Sequence, residues 1–205
     1  MRVIFILYLL VSVMSPQARG ENLEVIQVYS DDILLNLIKE NKHLGQMVID
    51  DCQLVQDVEA RAVISNKPSF QFLWGDMLAF GVCVKKDLPL GLYYMRAAAD
   101  QGLAEALEQL GRYYHIGKFM QSDIRQAIIF LKEAASLNSL KAQLRLAQIY
   151  NAGEGSPLDF PELYAQLHHS ITDDKAIHKQ ISLLLAGLAE KMPQRVVDLA
   201  KKGKY

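Results

Sequence analysis

Apolar residues recur at spacings of three and four along most of this chain, and the spacing itself repeats. Between residues 106 and 114, Ala106, Leu107, Leu110, Tyr113 and Tyr114 fall on one face of an amphipathic helix. Gly117 ends that helix, since glycine accepts the left-handed backbone found at helix C-termini. Asp123 is placed to cap the next helix, in which Ile124, Ala127, Ile128, Leu131 and Ala135 mark the apolar face. Asp87 and Asp159 occupy the equivalent position in the flanking units and predict the same cap.

Gly75 and Gly111 lie 36 residues apart, and the match extends well beyond them. At the same offset Gly81 meets Gly117 and Gly153, Leu110 meets Leu146, Tyr114 meets Tyr150, and the pair Ala98-Ala99 meets Ala134-Ala135. A fixed period in this range means a solenoid of stacked supersecondary units. The expected fold is therefore all-α, an α/α helical-repeat solenoid with three units at 70–105, 106–141 and 142–177. The first glycine of each pair is expected to give room for close helix packing, with alanine at 147 in the third unit, and the second to provide the turn. Ahead of the units, residues 21–69 read as a partly helical extension. It holds a strand or extended arm in LEVIQVYS, a helix started by Ser30-Asp31-Asp32, and a second helix over 49–65 carrying Cys52. Truncation of 21–45 is expected to spare the fold. After the units, 178–205 reads as capping helices and a basic tail.

The first residues change where the protein is expected to work. Met1-Arg2 is followed by an uncharged apolar run from 3 to 14, ending at Ser15-Pro16. That run is too short to span a membrane and suits the core of a signal peptide, with Ala18 and Gly20 positioned for cleavage before Glu21. The expectation is an exported protein that is not integral to a membrane. A formal net charge of −1 on 205 residues argues against nucleic acid as a partner. The two cysteines, Cys52 and Cys83, read as a disulfide in an oxidising compartment, with two buried thiols as the alternative.

Candidate chemistry adds little. There is no nucleophile elbow, phosphate-binding glycine loop or HExxH motif. Asp174 and His178 are four apart and could share a metal with His168 or His169, but ordinary surface spacing explains them better. No catalytic, cofactor-binding, metal or small-molecule site is expected. The tyrosines at 93, 94, 113, 114, 150 and 164 follow the repeat and read mostly as core, with Tyr93 or Tyr113 as candidates for exposure to a partner.

The stretch LGRYYHIGKFMQSDIRQAIIFLKEAASLN resembles a Sel1-like repeat, a helix-turn-helix solenoid unit related to tetratricopeptide repeats. The third unit departs from it, with Leu163 for alanine and Ser170-Ile171 for the alanine pair. The segments VIDDCQLVQDVEARA and FQFLWGDMLAFGVCVKKDLPLGLYYMRAAADQGLAEALEQLGRYY further resemble the MotX family, periplasmic components of sodium-driven polar flagellar motors. That resemblance implies a ring around the basal body built with MotY, which retains the PomA/PomB stator complex. It also implies that Cys52 and Cys83 form a structural disulfide, and it brings no catalytic residues. An exported Sel1-like adaptor for cell-envelope enzymes is the other expectation.

Overall fold

A computed structural model describes residues 28–204. The expected signal segment, and residues 23–27 of the expected strand or arm, lie outside the described residues. Every regular element among the described residues is helical. None of these helices is long and apolar enough to cross a membrane.

Three short helices come first, α1 (Asp31–Lys39), α2 (His43–Ile49) and α3 (Val55–Val63). Three helix pairs follow: α4 (Pro68–Phe80) with α5 (Leu88–Asp100), α6 (Ala104–Ile116) with α7 (Ile124–Ser136), and α8 (Leu140–Asn151) with α9 (Phe160–His168). The chain closes with α10 (Lys175–Glu190) and α11 (Gln194–Lys201). One apolar core runs the whole length, from Leu34 and Ile38 in α1 to Val197 and Ala200 in α11. Each helix buries a stripe that a single pair could not cover alone, so stacking is what stabilises the array.

Within the first pair the two helices touch backbone to backbone. A Cβ on Gly75 would stand 2.7 Å from the Gly91 carbonyl oxygen, and one on Gly91 would stand 2.6 Å from that of Gly75. The second pair keeps one glycine, Gly111, which faces Leu131 and Ala127 of α7. The third has Ala147 and Leu163 at the corresponding positions, both buried.

Each unit turns through the same two left-handed positions. Gly81 and Gly117 close α4 and α6 at φ +74 and +68, and Gly153 follows α8 at φ +91. Two residues further on, Cys83, Phe119 and Gly155 are also left-handed. The turn is held by Schellman-type bonds, from the Val82 amide to the Met77 carbonyl at 3.0 Å and from Lys118 to Tyr113 at 3.0 Å. Replacement of Gly117 by valine should lower stability by roughly 1–2 kcal/mol through the strained left-handed backbone. A thermal melt of the variant matching the parent would refute this.

Asp87 and Asp123 cap α5 and α7, with their carboxylates accepting from Leu90 N and from Arg125 N and Gln126 N. Asp159 does something else. A single 3₁₀ turn over Pro157–Asp159 intervenes and Ser156 caps it, so no Asp159 side-chain bond caps α9. Its carboxylate instead accepts from Lys132 Nζ at 2.6 Å and sits at the edge of hydrogen-bond range, 3.5 Å from the Tyr150 hydroxyl. Helix α9 still starts in register at Phe160, but the 3₁₀ turn leaves Asp159 with a helical backbone (φ −86, ψ −14) where Asp87 and Asp123 are extended, and that takes its side chain out of capping geometry.

The N-terminal segment departs further from expectation. The helix expected over 49–65 forms only as α3 from Val55, and Cys52 lies in the turn between α2 and α3 at φ +59 rather than on a helix face. Leu34, Ile38 and Met47 are fully or almost fully buried, so α1 and α2 are part of the core and residues 31–45 are not dispensable. Asp31 ties α1 to α4 by accepting from Ser69 Oγ at 2.8 Å and pairing with Lys67 at 3.1 Å. Arg61 of α3 donates to the Tyr29 carbonyl at 3.1 Å and lies over the Phe70 ring.

At the other end α10 finishes α8. Asn151 Nδ2 donates to the Leu184 carbonyl at 3.0 Å, and Lys191 Nζ donates to the carbonyls of Tyr150 and Asn151. A cation at a helix C-terminus satisfies free carbonyls and offsets the dipole.

Candidate functional site

The first helices of the three units, α4, α6 and α8, bring the same register positions to one groove. Phe72, Glu108 and Leu144 share one register and Arg112 and Gln148 another, whose counterpart in the first unit, Asp76, lies buried beneath the groove. Two adjoining cavities of about 210 and 470 Å³ make up the groove and share Asn41, Glu108, Gln109 and Lys141. The loop between α1 and α2 borders one side, and Gln180 of α10 borders the far end. Lys141 Nζ donates to the Lys39 carbonyl at 2.6 Å and so fastens that loop to the third unit.

Below the groove lies a buried polar network. Asp76 is 1% exposed and accepts from His43 Nε2 at 2.8 Å and from Gln109 Nε2 at 3.3 Å. Gln109 also donates to the Tyr113 hydroxyl at 2.7 Å and accepts from Arg112 Nη2 at 2.5 Å. A buried carboxylate is stable only when paired and hydrogen-bonded, which is the part His43 and Gln109 play. Burial, and next the Asp76 carboxylate, push the Tyr113 hydroxyl far up, so the phenol stays protonated. His43 Nδ1 is buried without a partner.

Arg145 is less well served. Its Nε lies 3.7 Å from Glu108 Oε1, near enough for an ion pair but too far for a hydrogen bond. That buried Nε has no other partner. Burial lowers the Arg145 pKa; Glu108 opposes the shift and Arg112 adds to it. Burial, with Arg145 second, also lowers the pKa of His115. The groove thus holds two guanidiniums close enough to repel and one carboxylate that pairs imperfectly with one of them.

Cys52 and Cys83 are joined, with their Cα atoms 5.4 Å apart, and the bond pins the α2–α3 turn to the α4–α5 turn. It lies outside the residues lining the groove. Gly75 and Gly111 sit within helices, and Gly81, Gly117 and Gly153 in the turns after them. Tyr93 is 62% exposed, whereas Tyr113 is fully buried, which removes it as a direct partner contact. The Asp174 carboxylate caps α10 by accepting from Ala176 N and Ile177 N, and His168 stacks on Tyr164. Among the described residues no group of three or more His, Cys, Asp or Glu side chains is placed to hold a metal.

The groove residues escaped the sequence reading, although one signal was present. Asp76 interrupts the apolar run FQFLWGDMLAF, and a charge inside a buried helix needs a partner brought from elsewhere. Which partners, only the stacked helices decide.

A helical-repeat solenoid with a polar groove across its first helices defines a scaffold class, and the family comparison gives the class its name. The Sel1 repeat model matches residues 68–103, 104–139 and 140–162, so the third match stops at the start of the divergent α9. The fold resembles the crystal structure of a Sel1 repeat protein from Oxalobacter formigenes at a TM-score of 0.53 and 22% identity, covering 62% of this chain and 96% of that one. The chain is also 46% identical over 177 residues to the sodium-type polar flagellar protein MotX of Vibrio parahaemolyticus, covering 86% of this chain and 84% of that protein. It belongs to the MotX family.

Proposed function

We propose that the protein is a component of the sodium-driven polar flagellar motor that works in the periplasm by holding other proteins in place. The observation that carries this reading is the 46% identity to the Vibrio MotX protein over most of both chains. The apolar segment at residues 3–14 supports export, and the solenoid supplies an extended surface for protein partners. In this reading the protein helps form a basal-body ring with a MotY-type partner and retains stator units of the PomA/PomB type. It does no catalysis; its groove and exposed helix faces act by binding.

Loss of the protein should leave flagella assembled but unable to rotate. A fluorescently tagged stator protein should lose its polar focus in a deletion strain and regain it on complementation. Normal swimming with stators still localised would sink the motor assignment and leave an exported Sel1-repeat adaptor for envelope enzymes in its place.

A further inference from the structure

The groove carries more positive charge than it neutralises. Lys39, Lys141, Arg112 and Arg145 line it against Glu105 and Glu108. Arg112 spends one donor on Gln109, which leaves most of its five N–H groups free. Arg145 Nε is buried and makes no hydrogen bond. A buried donor left in that state is costly, and an incoming acceptor would relieve it.

The arrangement along α8 also specifies the shape of what fits. Lys141 and Arg145 are one helical turn apart on the groove face, roughly 6 Å along the axis. Alternate residues of an extended chain are spaced by about 6.6 Å. The lining continues from Ile38 on the N-terminal side to Gln180 in α10, so the cations stand along a passage rather than at its end.

We propose that this groove binds an extended acidic segment of a protein partner, with alternate side-chain carboxylates received by Lys141 and by the Arg112–Arg145 pair. Arginine suits the task because its planar fork meets a carboxylate with two parallel hydrogen bonds. Glu108 occupies the position as a weak internal competitor, and a bound carboxylate displaces it from Arg145. The inference deepens the reading of the protein as a holder of other proteins, but it is tested without the motor.

The experiment uses the purified full-length mature chain and short end-blocked peptides in which glutamate, or glutamine as the control, alternates with threonine. Fluorescence anisotropy should show the glutamate peptide binding more tightly than the glutamine one, with the difference shrinking as salt is raised. Arg112→Gln with Arg145→Gln should weaken glutamate-peptide binding by about 30-fold or more, the effect of leaving a desolvated charge without its partner. Glu108→Gln should act in the opposite direction and tighten binding a few-fold, which keeps the proposal testable if the arginine variants fail to fold. Equal affinity for both peptides, or no binding of either, overturns it. So does an E108Q chain that binds no better than the parent. A glutamine peptide that binds only when its C-terminal carboxylate is unblocked also overturns it, because the site would then read a chain end. A deletion strain that swims normally bears on the motor assignment and leaves these binding results unchanged.

Discussion

Replacing both Cys52 and Cys83 with serine should lower the unfolding free energy by roughly 3–4 kcal/mol, the loop-closure value for a separation of 31 residues. For a chain of this size that corresponds to a fall of roughly 8–15 °C in melting temperature. The reason lies in the first unit's turn. Position 83 is left-handed in all three units through its counterparts Phe119 and Gly155, and in the first unit it carries the sulfur that reaches Cys52. Cys52 is left-handed too, in the turn that separates α2 from α3. The bond therefore fastens two loops rather than two helices, at the end of the solenoid where α1, α2 and α3 have no further repeat to pack against. The reduced parent should melt near the double variant, and oxidised parent should run faster in a non-reducing gel. Thiol titration finding both cysteines reactive in unfolded, unreduced protein would remove the basis of this expectation.

Gly91→Ala should be the more informative packing variant, with a loss of about 2 kcal/mol or more. Two effects compete. Alanine gains up to about 1 kcal/mol over glycine in a helix interior. Against that, the new Cβ would meet the Gly75 carbonyl oxygen at 2.6 Å and the Ala79 amide nitrogen at 2.7 Å, both backbone atoms that no side-chain rotation can move. Helices α4 and α5 would have to separate, and overpacking of this kind typically costs 1–3 kcal/mol or more. The clash wins. Gly45→Ala supplies the control, because its Cβ would meet nothing within 4 Å in α2 and should stabilise by roughly 0.5–1 kcal/mol. Thermal or denaturant melts of the two variants should therefore shift in opposite directions. A Gly91→Ala melt at or above the parent's would mean that α4 and α5 can part freely.

Phe119 illustrates how one backbone position serves different ends. It holds the same left-handed conformation as Cys83, but it packs edge-on against Phe80 and Tyr113, with Lys118 near all three rings. An aromatic residue there is tolerated because its neighbours compensate for the backbone cost. The repeat specifies the conformation, and the individual residue decides whether the turn is stapled, packed or, at Gly155, relaxed.

The solenoid was legible in the chain because its causes are local. Helical spacing of apolar residues, aspartate caps at 87 and 123, and glycines at 81 and 117 act within a turn or two of sequence, and a 36-residue period multiplies each signal. Close packing at Gly75 and Gly111 was legible for the same reason. Where local rules compete, tertiary structure decided. Asp159 had the capping position by register, but the 3₁₀ turn over Pro157–Asp159 gave it a helical backbone and left its carboxylate to Lys132. Cys52 had helical neighbours, yet the turn that meets Cys83 took it out of the helix. Tyr93 and Tyr113 were both candidates for exposure, on the second helix of one unit and the first helix of the next, and packing exposed the former and buried the latter. Apart from the charge of Asp76 within an apolar run, the groove and the network beneath it belong to this second kind. His43, Asp76, Gln109, Arg112 and Arg145 come from four helices, α2, α4, α6 and α8, and most of their contacts join residues about a repeat apart in sequence.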